Sequence, residues 1–275
     1  MLIYNNDQLK QFFLKSQKDK IIGIDTEFFR ISTYYPKLCL IQLANKTSTV
    51  IIDPLSYSIN LLLIRKILFS KEIIKVFHAA YQDIEILFNL FGKIPKNIID
   101  TQICLSEIGY SHTMGYAEAC KNLLNVNINK KNQFIDWRKR PLEKEKIQYA
   151  IKDVKYLPKL FLKINEKINI RQNKNILENH KKIFNEEIFR KKSEKAWEKL
   201  KINRSNNYEI QKLKKICFLR EELAKENNMP VKKIITDQKI KLLCRKEFSQ
   251  KDRKLILEDI KFDCLKKNLK SILKT

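Results

Sequence analysis

An α/β domain followed by a smaller all-helical one is the fold class the sequence predicts, on three patterns. Short apolar runs alternate with helical periodicity through the first half of the chain. After Gly109 the pattern turns mainly helical, and from Tyr208 onward it reads as four short amphipathic pieces with no strand signal. Residues 171–206 between them are polar and charged, with enough apolar side chains for a connecting helix or two. The expected organisation is a first domain over 1–170, a helical connector over 171–206 and a helical domain over 207–275.

The elements follow in order. Lys20–Thr26 (KIIGIDT), Leu38–Ala44 (LCLIQLA) and Thr49–Asp53 (TVIID) read as strands, being short and rich in β-branched residues. Asn60–Phe69 has helical spacing, Ile73–Phe77 is a fourth strand, and Tyr81–Phe91 is an apolar-periodic helix. Gly115–Leu124 and Glu143 to about Lys167 are helical, with a kink or break expected at Pro158, which lacks an N–H and clashes with the preceding turn. The chain has 275 residues, 44% of them hydrophobic, so a sizeable core can form; 4 Gly and 6 Pro leave little room for a low-complexity linker.

Charge narrows the class of partner. With 56 Lys+Arg against 31 Asp+Glu the chain carries +25, which favours a polyanion: nucleic acid or an anionic membrane surface. Residues 1–160 hold +9 and residues 161–275 hold +16, so the C-terminal part is the stronger electrostatic handle. A biased Lys-, Asn- and Ile-rich composition accounts for part of the excess. The six cysteines form no C-x-x-C pair and no Cys/His cluster, which argues against zinc and a disulfide framework and for buried thiols in a reducing compartment. The N-terminal residues lack a secretory pattern, and no apolar run approaches the roughly 20 residues that span a bilayer. A cytoplasmic protein with no membrane association is the expectation.

Four acids and one tyrosine stand out by position. Asp25 and Glu27 are i and i+2 at the end of the first strand, so their carboxylates face one side. Two like charges held together there are explained by a bound cation, and hard oxygen ligands suit Mg²⁺ or Mn²⁺; a strand simply ending in solvated acids is the alternative. Asp83 opens a helix after a strand, where it is either a site residue or a favourable charge at a helix N-terminus. Tyr149 and Asp153 are i and i+4, so a phenol and a carboxylate share one helix face. Jointly these positions suit two-metal phosphoryl chemistry, in which carboxylates hold two cations around a scissile bond.

The segments that hold these residues resemble the DEDD family of 3′→5′ exonucleases, in the subclass with tyrosine before the last aspartate, and within it ribonuclease D. The matching stretches are IGIDTEFFRISTYYPKLCLIQLA from Ile22, VFHAAYQDIEIL from Val76, YAIKDVKYL from Tyr149, and DWRKRPL from Asp136. The resemblance implies a ribonuclease H-like fold and two divalent cations, Mg²⁺ or Mn²⁺. Asp25, Glu27 and Asp153 would hold the first; Asp25 would bridge to the second, supported by Asp83. Tyr149 would orient the attacking water, and Glu27 with its neighbours Thr26 and Phe28 would meet the terminal 3′-OH. The implied partner is RNA with a free 3′ end, tRNA precursors among the family's substrates, with release of nucleoside 5′-monophosphates and no protein partner. A DNA exonuclease on the same scaffold and a non-catalytic RNA-binding module are the rival readings.

Other positions stay open on sequence alone. His78 is either core packing or a hydrogen-bonding group of the site. Tyr34 and Tyr35, in the loop Thr33–Pro36, would stack on a base if exposed, or pack an ordinary turn if buried. Arg138 and Arg140 suit phosphate contact as well as solvated loop positions. His112 and His180 carry no pattern. Lastly, CFLREELAKENNMPVKKIITDQKIKLLCRK from Cys217 resembles the HRDC domain over about Tyr208 to Lys274, with Phe218 where relatives often carry tryptophan. Weak single-strand binding through a basic face is implied; a stabilising helical cap is the alternative.

Overall fold

The computed structural model describes residues 2–3, 5–56, 60–128, 136–190, 192–200, 206–245 and 248–274. The chain divides into two compact units, Met1–Phe29 with Lys37–Phe189, and Arg30–Pro36 with Arg190–Thr275. The boundary therefore falls at 189/190, and the expected connector is shared between the units instead of standing alone. Residues 191 and 201–205 of that connector lie outside the described residues. A second departure matters more: seven residues of the first motif, Arg30–Pro36, belong to the helical unit.

The first unit is built on a six-stranded sheet: β1 (Leu2–Ile3), β2 (Ile21–Phe29), β3 (Lys37–Ala44), β4 (Thr49–Ile52), β5 (Ile74–Phe77) and β6 (Ile98–Asp100), in the order β1-β4-β3-β2-β5-β6. β2 pairs antiparallel with β3 and parallel with β5, so it sits where the sheet changes sense. Strands β1 and β6 are too short for a pattern to announce them. Helices α1 (Asn6–Asp19), α2 (Leu61–Phe69) and α3 (Tyr81–Phe91) lie between the strands, and α4 (Thr101–Glu107) and α5 (Tyr116–Leu124) follow β6. Then come α6 (Lys144–Lys155), α7 (Leu157–Asn165), α8 (Ile170–Ile183) and α9 (Glu186–Phe189). The break at Tyr156 places Pro158 in the first turn of α7, where a missing N–H costs nothing. The core buries Ile22, Ile24, Ile41, Leu43, Phe77 and Leu87.

Gly23 sets the approach of α6 and α7 to β2. A Cβ built there would lie 2.7 Å from Leu157 Cβ and 3.2 Å from the Val154 carbonyl oxygen. Only a residue without a side chain lets the α6–α7 junction seat on the strand two residues before Asp25.

The second unit packs α10 (Asn207–Glu226), α11 (Val231–Ile234), α12 (Asp237–Cys244), α13 (Gln250–Glu258) and α14 (Asp263–Lys274) around Leu213, Ile216, Cys217, Leu243, Leu265 and Leu269. α10, at 20 residues, is longer than the short pieces expected. Tyr34 is part of this same core. Cys39, Cys104, Cys120, Cys217 and Cys244 are buried free thiols. Among the described residues no helix is long and apolar enough to cross a membrane.

Candidate active site

The site forms at the carboxyl ends of the parallel pair β2 and β5. β2 pairs with β5 from Ile21 to Gly23 and then runs on alone on that side, carrying Asp25 and Glu27 beyond the pairing. Ligands collect at such points, where neighbouring connections diverge. On the other side Asp25 faces Gln42 and Glu27 faces Leu40 of β3, and a register shift follows between Glu27 and Phe28. The bulge ends the regular alternation immediately after the second acid.

α6 supplies the rest. Tyr149 and Asp153 lie one turn apart on α6, as their spacing predicts, and the Asp153 charge acts on the Tyr149 phenol. Ligand oxygens of Asp25, Glu27 and Asp153 all lie within 4.8 Å of one another. Asp83, in the first turn of α3, stands outside that cluster. It is 7% exposed and accepts from Thr26 Oγ1 at 2.5 Å. Thr26, named from the sequence as a possible contact to the 3′ end, is thus an anchor for Asp83. A cavity of about 230 Å³ opens among Asp25, His78, Tyr116, Tyr149 and Asp153.

The electrostatics are those of crowded anions. Burial holds the Asp25 carboxyl well above the ordinary carboxylate range, and the charges of Asp83, Glu27 and Asp153 add to it. Glu27 is pushed up to about 8 by burial and then by Asp153 and Asp83. Asp83 reaches about 7 through burial, against the lowering effect of its Thr26 hydrogen bond. Tyr149 is raised by burial and by the Asp153 charge, so its proton stays on oxygen at neutral pH. An all-oxygen cluster of mutually repelling carboxylates is the donor set of a hard divalent cation, and Mg²⁺ or Mn²⁺ fits it. Gln42, opposite Asp25 in register, is fully buried, and neither of its amide atoms has a protein partner among the described residues.

The remaining sequence candidates separate. His78 lines the cavity; its Nε2 donates to the Met114 carbonyl at 3.0 Å and its Nδ1 lies 2.9 Å from Thr101 Oγ1. Phe28 follows the bulge and is half-buried. Arg138 lies over the Phe29 ring and pairs with Asp136, its side chain 42% exposed. Arg140 is corrected from phosphate contact to a structural tie: its Nε and Nη2 donate to Asp53, and its Nη1 and Nη2 to the Trp137 and Cys39 carbonyls.

Tyr34 is likewise corrected. It is 9% exposed, its hydroxyl donates to Glu221 Oε1 at 2.6 Å, and its ring lies in the helical core. A ring enclosed in a core cannot stack on a base. Tyr35 packs edge-on against it, and the N–H groups of both donate to Asn228 Oδ1. Sequence reading passed over Asp100, Thr101 and His180, whose bonds reach into the same region from β6, α4 and α8.

Comparison with known proteins bears on this geometry. A protein-family profile described as 3′-5′ exonuclease matches residues 1–169. Ribonuclease D of Sphingobium indicum is 34% identical over 239 residues, 86% of this chain and 62% of the relative; ribonuclease D of Bartonella henselae is 34% identical over 238 residues, 86% and 59%. The chain thus spans about three-fifths of the length of these relatives. Among solved structures, Escherichia coli RNase D, an exoribonuclease involved in structured RNA processing, superposes with a TM-score of 0.84 at 24% identity, covering 100% of this chain and 74% of that one. Brucella melitensis NrnC with bound Mg²⁺ gives 0.55 at 24% identity, covering 67% and 88%. These likenesses show the fold.

Proposed function

The chain belongs to the 3′-5′ exonuclease family, and from that premise we propose that it is a ribonuclease D-type exoribonuclease, removing nucleotides singly from RNA 3′ ends as nucleoside 5′-monophosphates. The observation that carries the reading is the convergence of Asp25, Glu27 and Asp153 within 4.8 Å, with Tyr149 one turn from Asp153 on α6 beside a cavity. Two divalent cations, Mg²⁺ or Mn²⁺, are the expected cofactors: Asp25, Glu27 and Asp153 would hold one, and Asp25 with Asp83 in support the other. Bound there, they would make water nucleophilic near neutral pH and stabilise the leaving oxygen.

The chain's own residues do the rest. Tyr149 keeps its phenolic proton and offers its oxygen to orient the attacking water. Asp153, one turn along α6, lines the same cavity. Glu27 and the β2 backbone at Thr26 and Phe28 receive the terminal 3′-OH, which restricts attack to the last phosphodiester. Thr26 also holds Asp83 in place through its hydroxyl. In the helical unit a groove of about 650 Å³ is lined by Arg253, Lys254, Lys266 and Lys270 over Leu257 and Leu273, with Glu258 at its side. Such a surface suits the phosphates and bases of a single strand. Precursor tRNA with a short 3′ tail is the substrate to which the ribonuclease D resemblance points.

Digestion of 5′-labelled single-stranded RNA and its DNA counterpart, with Mg²⁺, Mn²⁺ or EDTA, tests the reading. A metal-dependent ladder shrinking from the 3′ end of RNA is expected. A ladder favouring DNA would replace the substrate, and no ladder with either metal would leave a binding module.

A further inference from the structure

We propose that Asp100 and Thr101 act as a positioning clamp, fixing the turn that brings His78 and Asp83 to the acid cavity. The inference rests on the reading of that cavity as a nuclease site, but its geometry is independent of that reading.

The turn between β5 and α3 needs such a clamp. Ala79 has φ 57°, a left-handed conformation that an alanine adopts only under constraint, and the N-cap of α3 is Ala80, which offers no side-chain cap. Asp100 supplies what is missing from another strand. Its Oδ1 accepts from the Ala79 N–H at 3.0 Å and its Oδ2 from the Ala80 N–H at 2.9 Å. The same Oδ1 accepts from the Gln102 N–H at 2.9 Å and so caps α4 as well. One carboxylate, 4% exposed, thus serves three backbone donors and two helix starts.

Thr101 completes the grip. Fully buried, it donates from Oγ1 to the Phe77 carbonyl at 2.9 Å, and the same oxygen lies 2.9 Å from His78 Nδ1. Phe77, Ala79 and Ala80 are therefore hydrogen-bonded to this pair, and His78 lies against it. Asp83 follows within the first turn of α3, so its carboxylate moves with the clamp. The clamp is itself braced: the Asp100 N–H donates to His180 Nε2 at 2.7 Å, and His180 Nδ1 donates to the Ile176 carbonyl at 2.7 Å. Helix α8 thereby anchors the back of the turn.

Asp100→Asn is close in shape but turns an amide NH₂ toward a backbone donor, most directly the Ala80 N–H if the carbonyl keeps Ala79 and Gln102. Thr101→Val removes the hydroxyl at nearly constant volume, and Thr101→Ser restores it. The full chain would be assayed for kcat and KM on single-stranded RNA, for Mn²⁺ binding by calorimetry, and for thermal unfolding.

Positioning predicts that Asp100→Asn lowers kcat about 10- to 100-fold with KM within about twofold, and weakens Mn²⁺ binding by a similar factor. Thr101→Val should show a smaller loss of the same kind, and Thr101→Ser should return to within about twofold of wild type. A kcat loss that vanishes on cooling well below the melting temperature would show mere destabilisation and overturn the clamp, as would an unchanged kcat. If the wild type releases no nucleotide from RNA, it is the nuclease reading that fails. The clamp then stands or falls on Mn²⁺ binding: weakened in Asp100→Asn, it stands; equal to wild type, it falls.

Discussion

Burial raises the phenols of Tyr149 and Tyr34, and each has a carboxylate beside it, yet they serve regions built on opposite terms. Around Tyr149 the acids are raised: Asp25 and Glu27 by burial and then by the charges of neighbouring acids, Asp83 by burial and then by Asp100. Around Tyr34 the partners are matched: Glu221 accepts its hydroxyl, Asn228 Oδ1 accepts two backbone N–H groups, and Lys199 Nζ lies 3.9 Å from Glu221. The cavity stores repulsion that a cation would relieve. Crowded like charge marks a place suited to a cation, and a satisfied polar network marks a place where the molecule is held together.

The sharpest break between the two regions should come from Asp25→Asn. Turnover should fall about 1,000-fold or more, equivalent to about 4 kcal/mol of lost transition-state stabilisation. RNA affinity should be nearly intact, and metal-free thermal stability should rise because one repelling charge is gone. Single-turnover digestion, filter binding and melting in EDTA measure the three. Equal losses of turnover and affinity would instead mean a damaged fold.

A pair of Tyr→Phe changes tests the comparison next. Tyr149→Phe should cost turnover roughly 100-fold, as loss of a group aligning the nucleophile does, with little change in melting temperature. Tyr34→Phe should do the reverse. It leaves the buried Glu221 without its donor, a cost of about 1–3 kcal/mol, seen as a fall of roughly 3–8 °C in melting temperature. Its turnover well below that temperature should match wild type. If Tyr34→Phe lowers turnover at a low temperature while leaving stability alone, the satisfied network is part of the site after all.

The same pair shows what could be read in the sequence and why. Asp25 and Glu27 were legible because a strand's period of two is local, and Tyr149 with Asp153 because a helix's i,i+4 spacing is too. The placement of Tyr34 was not local. Its partner Glu221 lies 187 residues away, so the loop Arg30–Pro36, embedded in the longest family-like stretch, joins the helical unit by contacts no motif encodes. Asp100 escaped notice for a related reason. It ends a three-residue strand, too short for a pattern, and its carboxylate serves donors 20 and 21 residues earlier. His180, featureless in sequence, gains its role only by meeting the Asp100 N–H.

Acidity gives a smaller but cleaner contrast. Glu27 near 8 and Asp83 near 7 lie above their ordinary values of 4.5 and 3.8. A carboxyl raised on folding binds its proton more tightly in the native state, so its stabilising effect is full below the unfolded value and is lost as pH climbs through the folded one. Without metal, the melting temperature should therefore fall by several degrees between about pH 5 and pH 8. Saturating Mn²⁺ should reduce or reverse that slope, because binding favours the ionised acids. Melting curves across this range with EDTA or Mn²⁺ measure it. A slope indifferent to Mn²⁺ would separate the raised acids from the proposed metal site.

The smallest effect concerns the groove of the helical unit, and its smallness is itself informative. Lys266 and Lys270 stand one turn apart on α14 and line the groove together with Lys254. Exposed ammonium groups facing phosphates act mainly through counterion release, so each contributes modestly and in a salt-dependent way. Lys266→Gln with Lys270→Gln should weaken single-stranded RNA binding about 3- to 10-fold at low salt and flatten the log–log salt slope by roughly 1.4, about 0.7 per contact. Hydrolysis of a trinucleotide, which has few phosphates beyond the scissile one to offer the groove, should be unchanged. Such point changes test the handle better than removing residues 207–275, since that deletion strips Tyr34 of the core in which it is buried. An unchanged salt slope in the double variant would mean that the groove's charge is merely solvated, and that the excess of +25 serves some other surface.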